Sequence, residues 1–311
     1  MKLIGTLQEG DHVGDVYLCK IRQQATSKAG KEYENVTLQD RSGSIDCKIW
    51  EPNSTGIEEF APYDYIYVVG EVTTFQNNLQ LNIKRVRIAR PGEYRPEDYL
   101  PVSENDTATM YGELKEILSG VKNQWLRALI DKYFNDPAFE EAFCRHSAAK
   151  TVHHSFVGGL LEHTVSVTRF AAFIADAYPA INRDLLITAA LLHDIGKTKE
   201  LSFFPMNEYT DDGQMLGHIV IGAEMIHDKA SRIEGFPELL ETELKHCILA
   251  HHGEYEYGSP KKPSLIEALA LNLVDNLDAK LETMTELLEN GGSEAWLGYN
   301  RFFENNMRKT T

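Results

Sequence analysis

Apolar and polar positions alternate through the first ninety residues and then change period. Val13, Val16, Leu18 and Ile21 lie in a long first strand that ends at the turn-rich SKAGK of 27–31. Over 33–39 (YENVTLQ) Val36 and Leu38 share a face. Over 44–50 Ile45, Cys47 and Ile49 point one way, and Asp46, Lys48 and Trp50 the other, which is the two-residue period of a half-buried strand. A loop or short helix is expected around 53–62, then strands over 65–74 and 79–89. In the last of these Leu79, Leu81 and Ile83 share one parity and Val86 and Ile88 the other, so a bulge is expected near Lys84 and Arg85. Residues 91–102, PGEYRPEDYLPV, read as a proline-bearing connector. From 103 onward apolar residues recur at helical spacing: Met110, Leu114 and Ile117 over 103–120, then Trp125, Leu126 and Leu129 over 121–134. Asp136-Pro137 reads as the cap and first turn of a short helix bearing Phe139 and Phe143. No alternating pattern follows, so the remainder is expected to be all-α, with a long helix over 263–290. The tail, 298–311, is mixed and its pattern does not decide its structure.

This division predicts a β domain over 1–90, a connector with accessory helices over 91–150 and a helical domain over 151–311. At 311 residues there is material for two cores. The formal net charge of −16 argues against a protein that coats nucleic acid electrostatically. The charge is uneven: residues 1–90 carry 11 Lys+Arg against 12 Asp+Glu, whereas 91–311 carry 20 against 35, so the first domain alone is near neutral. No apolar run reaches the ~18 residues of a membrane span, and the acidic N-terminus lacks the apolar middle of a signal peptide. Cys19, Cys47, Cys144 and Cys247 are scattered, with no CxxC pair. They suit a reducing compartment, and the cytoplasm is the expectation.

The richest stretch for chemistry is 185–197, LLITAALLHDIGK. Adjacent His193 and Asp194 project about 100° apart on a helix, close enough to serve one cation but too few to complete its shell. Further ligands recur at helix-sized intervals: His163 in GGLLEHTVSV, His218 in LGHIVIG, His251 and His252 in ILAHHGEY, and Asp275 in LNLVDNLDAK. Seven such groups exceed the needs of one ion. Two divalent metals are therefore expected, and with them phosphate-ester chemistry by a metal-dependent phosphodiesterase. Nitrogen-rich ligation suits manganese, cobalt, iron or zinc better than magnesium.

Lys197, three residues after Asp194 and four after His193, faces the same side and is a candidate for holding a non-bridging phosphate oxygen. With Asp194 it makes up the expected catalytic pair. His153 and His154 lie in a glycine-rich approach to His163, where a substrate-proximal role and a capping role weigh equally. In the β domain Trp50 and Phe75 are candidates for stacking on bases, and Lys48, Arg85 and Arg87 for phosphate contact. Arg85, Arg87 and Arg90 form a basic stripe with no acid nearby after Glu71. Packing of Trp50 against a neighbouring domain is the competing reading.

His163, then His193-Asp194, then Asp275 resembles the HD superfamily of metal-dependent phosphohydrolases, whose fold is an all-α bundle. The resemblance implies an HD core over 163–279 in which these four side chains hold one ion. It further implies that His218, His251 and His252 match the additional histidines of two-metal members, with Asp194 bridging the ions. The histidine pair and DIGK are also similar to the HD-GYP cyclic-dinucleotide phosphodiesterases. Their GYP signature is missing here, since Gly253-Glu254-Tyr255 follows His252.

Residues 31–50, KEYENVTLQDRSGSIDCKIW, resemble the central hairpin of nucleic-acid-binding OB folds. Five strands with a helical insert between the third and fourth match an OB-type barrel. The OB-like barrel, the connector and an HD domain approached by HHSFVGGLLEHT together resemble the YhaM family of 3′-5′ exoribonucleases. That resemblance implies a two-domain protein with an OB-like five-stranded barrel that holds single-stranded RNA, with single-stranded DNA as a further candidate. Its all-α HD bundle would release mononucleotides with two divalent ions, manganese foremost. Alternatives stay open: a phosphodiesterase or nucleotidase for small nucleotides, a regulator with a vestigial site, or a nuclease for duplex DNA. Self-association is also left open.

Overall fold

The computed structural model describes the chain except residues 28–29, 77, 101, 104, 151–155, 291–294 and 311 and the side chain of 290. His153 and His154 lie outside the described residues. The chain divides into two compact units, Met1–Val102 with Phe204–Met206, and Ser103–Phe203 with Asn207–Thr311.

In the first unit, β1 (His12–Thr26), β2 (Glu32–Asp40), β3 (Gly43–Ile49), β4 (Tyr65–Phe75) and β5 (Asn78–Ile88) close into a barrel in the order β1-β2-β3-β5-β4. Closure is parallel, with Asp46, Cys47 and Lys48 of β3 against Gln80, Leu81 and Asn82 of β5. This is the OB arrangement. The alternating residues fill the interior: Val36, Leu38, Ile45, Cys47, Ile49, Ile66, Val68 and Leu81 are all buried.

The parity switch in β5 is a real bulge. Val69 pairs with Arg85 and Gly70 with Ile83, which leaves Lys84 as the extra residue. Leu81 and Ile83 therefore face inward before it and Val86 after it. Gly70 is needed at this step, because a Cβ there would meet the Asn82 carbonyl oxygen at 2.5 Å. Of the loop or short helix expected around 53–62, the structure has the loop, and the helical insert between β3 and β4 is corrected. Residues 50–64 form turns, with no helix among the described residues. Pro52, Gly56 and Pro62 interrupt any helical run. The segment instead spends its backbone on β5, where Val86 N donates to Gly56 O (2.9 Å) and Glu58 N donates to Val86 O (3.0 Å).

The second unit is built from helices: α1 (Thr107–Ser119), α2 (Gln124–Phe134), α3 (Pro137–Arg145), α4 (Gly159–Ala177), α5 (Arg183–Leu192), α6 (Lys197–Glu200), α7 (Asp211–Met215), α8 (Gly217–Ala230), α9 (Glu238–Leu249) and α10 (Ile266–Asn290). Side-chain acceptors cap the helices: Asp136, at the expected place, takes the N–H of Ala138, and Asn182 takes that of Leu185. Two helices, not one continuing run, span 107–134, since Asn123 caps α2 anew. Every residue of α5 from Leu185 to Leu192 is buried. This central helix therefore delivers His193 and Asp194 into the interior.

The expectation of an all-α remainder needs one correction. Trp296–Asn300 (β6) and Asn305–Arg308 (β7) form an antiparallel hairpin. No helix among the described residues is long and apolar enough to cross a membrane.

Candidate metal centre

The end of α5 meets four other segments at one point. His163 comes from α4, His218 from the start of α8, His251 and His252 from the turn after α9, and Asp275 from α10. Two groups of ligand atoms form, His163–His193–Asp194 and His218–His251–His252, each within 4.8 Å of one another. Asp275 joins the first, with Oδ1 3.1 Å from His163 Nε2 and 3.7 Å from His193 Nε2. Asp194 lies between the groups. Its Oδ2 is 3.3 Å from His193 Nε2 and 3.6 Å from His163 Nε2. Its Oδ1 is 3.5 Å from His218 Nε2 and 3.8 Å from His251 Nε2. One carboxylate thus offers one oxygen to each cluster.

Close packing of backbones brings the second group near. A Cβ on Gly196 would sit 2.0 Å from the carbonyl oxygen of His218, so only glycine lets α8 approach the HDIGK turn this closely.

All five imidazoles are aimed the same way by what their Nδ1 atoms touch. His193 Nδ1 faces Ala190 O (2.8 Å), His251 Nδ1 faces Ile248 O (2.7 Å) and His252 Nδ1 faces Tyr257 O (3.0 Å). His163 Nδ1 meets Asp278 Oδ2 at 2.7 Å, and His218 Nδ1 meets Glu200 Oε1 at 3.0 Å. Every one of these partners is an acceptor, so each Nδ1 carries a proton and each Nε2 is left facing the centre, where it can offer a lone pair whenever it is unprotonated. The Nε2 atoms of His163 and His193 stand only 3.1 Å apart, an approach that two lone pairs tolerate only with a cation or proton between them. Asp194 Oδ1 and His218 Nε2 are buried and make no hydrogen bond among the described residues. A buried polar group without a partner is costly, and here both point where a divalent ion would sit. The residues fit a metal.

Charge in the centre follows its neighbours. Burial disfavours ionising Asp194, yet Lys197 and His193 overcome it and hold the carboxyl well below the usual range. Asp275 is likewise lowered against its burial, chiefly by His163. Burial keeps His251 and His252 uncharged by lowering both, with repulsion from His252 on the former and from His218 on the latter. For His163 burial also disfavours charge, but Asp275 and Asp278 prevail and push its pKa up to about 10. A metal ion arriving near neutral pH must displace that proton, so its uptake should release acid and strengthen as pH rises.

Lys197 lies where its spacing places it. Its Nζ is 2.6 Å from Asp194 Oδ2, and it lines, with His163, Asp194, His252 and Asp275, an open cavity of ≈ 670 Å³.

Two residues that hold the ligands were not singled out from sequence. Asp278 takes His163 Nδ1 on one oxygen and the hydroxyl of Ser166 on the other; its only signal was the i, i+3 spacing to Asp275. Glu200, one turn beyond Lys197, accepts from both the backbone N–H and Nδ1 of His218. Because such partners orient ligands and raise their basicity, Asp278→Asn should weaken metal binding at the His163 group by about 10–100-fold. Glu200→Gln should do the same at the His218 group. Competition titration with a chromogenic chelator would resolve the two losses.

In the barrel the nucleic-acid candidates fall into separate places. Trp50 is 53% exposed; its ring lies 5.2 Å from that of Tyr33, and its Nε1 donates to Asn82 Oδ1 at 3.0 Å. Lys48 donates to Asn35 and sits 5.0 Å from the Tyr33 ring. Phe75 is exposed at the end of β4. Arg85 and Arg87 line a different, polar hollow beside Tyr67. The expected acid-free stripe is corrected: Arg87 is gripped by both oxygens of Glu93 at 2.7 and 3.0 Å. Glu93 sits beyond the strand, in the connector, where the period-two pattern carries no information about which side chain it meets.

Family models match both units: an HD domain over residues 160–280 and an OB-fold nucleic acid binding domain over 19–89. The 3′-5′ exoribonuclease YhaM of Bacillus subtilis strain 168 is 36% identical over 287 residues, covering 90% of this chain and 88% of that protein. The chain belongs to the YhaM family. The YhaM proteins of Bacillus pumilus, at 34% over 293 residues, and Listeria welshimeri, at 33% over 285, are similar over comparable spans, 93% and 90% of this chain and 91% and 89% of theirs. The match runs through the barrel, the connector and the metal centre, so the YhaM architecture extends over nearly the whole chain.

Proposed function

We propose that the chain is a 3′-5′ exoribonuclease that hydrolyses single-stranded RNA at a two-metal centre, with manganese as the working ion and single-stranded DNA as a second substrate. The observation that carries this reading is Asp194, whose two oxygens face two separate groups of imidazole nitrogens. The exoribonuclease name shared by the YhaM relatives supports the substrate class. Ions bound there would supply charge neutralisation for a phosphodiester and acidify water for in-line attack.

The chain's own residues divide the remaining work. His163, His193 and Asp275 would hold one ion, and His218, His251 and His252 the other, with Asp194 shared. Lys197 stays cationic because Asp194 outweighs the burial that disfavours its charge, so it can neutralise a non-bridging phosphate oxygen at the cavity wall. In the barrel Trp50 and Phe75 would stack on bases, and Lys48 and Arg85 would meet phosphates. Arg87 would contribute only by leaving Glu93. Four unpaired cysteines suit work in a reducing cytoplasm.

The purified chain with manganese should shorten single-stranded RNA and spare an equal-length duplex and a cyclic dinucleotide. Preference for the cyclic dinucleotide would replace this reading with a small-nucleotide phosphodiesterase. The paired change Trp50→Ala with Phe75→Ala should weaken RNA binding by roughly 1–3 kcal/mol per lost stack, measured by fluorescence anisotropy. Unchanged affinity would make the barrel something other than the strand holder.

A further inference from the structure

The turn between β6 and β7 carries two aromatic rings to the metal cavity. Phe302 and Phe303 line it together with Asp194, Lys197 and His252. The turn is fastened by Asn300, whose Oδ1 accepts from the N–H groups of Phe302 (2.9 Å) and Phe303 (3.2 Å). The two rings stand perpendicular with centroids 5.0 Å apart, and their surroundings differ. Phe303 is partly buried and also lines an apolar groove on α10 with Leu277, Leu281 and Met284, which anchors the hairpin to the helix that supplies Asp275. Phe302 keeps 55% of its surface exposed at the cavity.

An exposed phenyl ring beside a polar, metal-binding floor calls for a ligand with two characters. It must bring a phosphate to Asp194 and Lys197 and a flat apolar face to the ring. A nucleotide at the end of an RNA strand has both. Building on the exoribonuclease reading above, we infer that Phe302 stacks on a base in the last two nucleotides of the RNA and so fixes the scissile phosphodiester over the metal centre. The contact is independent of base identity, since every base offers a π face. It lies at the catalytic cavity and is a separate subsite from the barrel.

The test uses the full chain with manganese and single-stranded RNA 12-mers that are intact or carry an abasic nucleotide at one of the last two positions. Phe302→Ala should lower kcat/KM on intact RNA about 5- to 150-fold, the range that one base–aromatic stack is worth. Bound metal should be unchanged, and Phe302→Tyr, which keeps the π face, should retain most of the rate. One of the abasic substrates should slow the wild type by a similar factor and slow Phe302→Ala no further. If Phe302→Ala matches the wild type on intact RNA, or loses as much again on both abasic substrates, the stacking role is overturned while the exoribonuclease reading stands. If the wild type itself leaves all the RNA intact, the exoribonuclease reading fails and this inference with it.

Discussion

Asp194→Ala should abolish RNA hydrolysis, a loss of at least about 10³-fold, while the helical unit stays folded. Among the described residues the carboxylate is the one side chain with an oxygen facing each candidate ligand group. Its removal should leave three imidazoles on one side and two imidazoles with Asp275 on the other, without the anion that joins them. Metal-derived charge stabilisation is worth several kcal/mol in the transition state, and each 1.36 kcal/mol is a factor of ten in rate. Folding should survive because α5 is held by an apolar core, Leu185 to Leu192, that does not involve the carboxylate. Elemental analysis of bound metal, beside circular dichroism, separates the two effects. Wild-type activity and metal content in Asp194→Ala would remove Asp194 from the mechanism.

Lys197→Met should lower turnover by about 10²-fold, an interaction of a few kcal/mol with a phosphate in a partly buried site, while both ions stay bound. Methionine keeps the stem and removes only the charge. The 2.6 Å contact with Asp194 Oδ2 makes the outcome informative. If the lysine serves substrate, metal affinity holds or rises once a competing cation is gone. If it serves to position Asp194, metal is lost together with activity. Parallel metal titration and single-turnover rates distinguish these, and loss of metal at the level of Asp194→Ala would assign Lys197 to the support of the site.

The candidate ligands that the fold brings together were legible in the sequence because their pattern is local or periodic. His193-Asp194 is an adjacent pair at the end of an apolar helix, and His163, His218, His251, His252 and Asp275 recur at intervals that helices can fold together. The bulge at Lys84 was legible because a residue inserted into a strand flips the parity of all that follows it. The supporting carboxylates were not. Asp278 and Glu200 sit in residues 91–311, which carry 35 acidic residues, and only the tertiary fold tells which of them meets a candidate ligand imidazole. The hairpin over 296–308 was hidden for a different reason. Each of its strands buries too little to alternate, Leu297 and Met307 being only partly buried among mostly exposed neighbours, and Gly298 breaks the first with φ 85°. A loop over 53–62 was one of the two forms expected, but its backbone pairing with β5 was hidden, because no local pattern announces that partner.

The most direct test is the fate of a 5′-labelled single-stranded RNA under single-turnover conditions, with and without manganese. A metal-dependent 3′-5′ exoribonuclease leaves the label on a ladder that shortens one nucleotide at a time and shows no change in chelator. Early release of the label as a mononucleotide, internal fragments, or shortening that persists in chelator would contradict it.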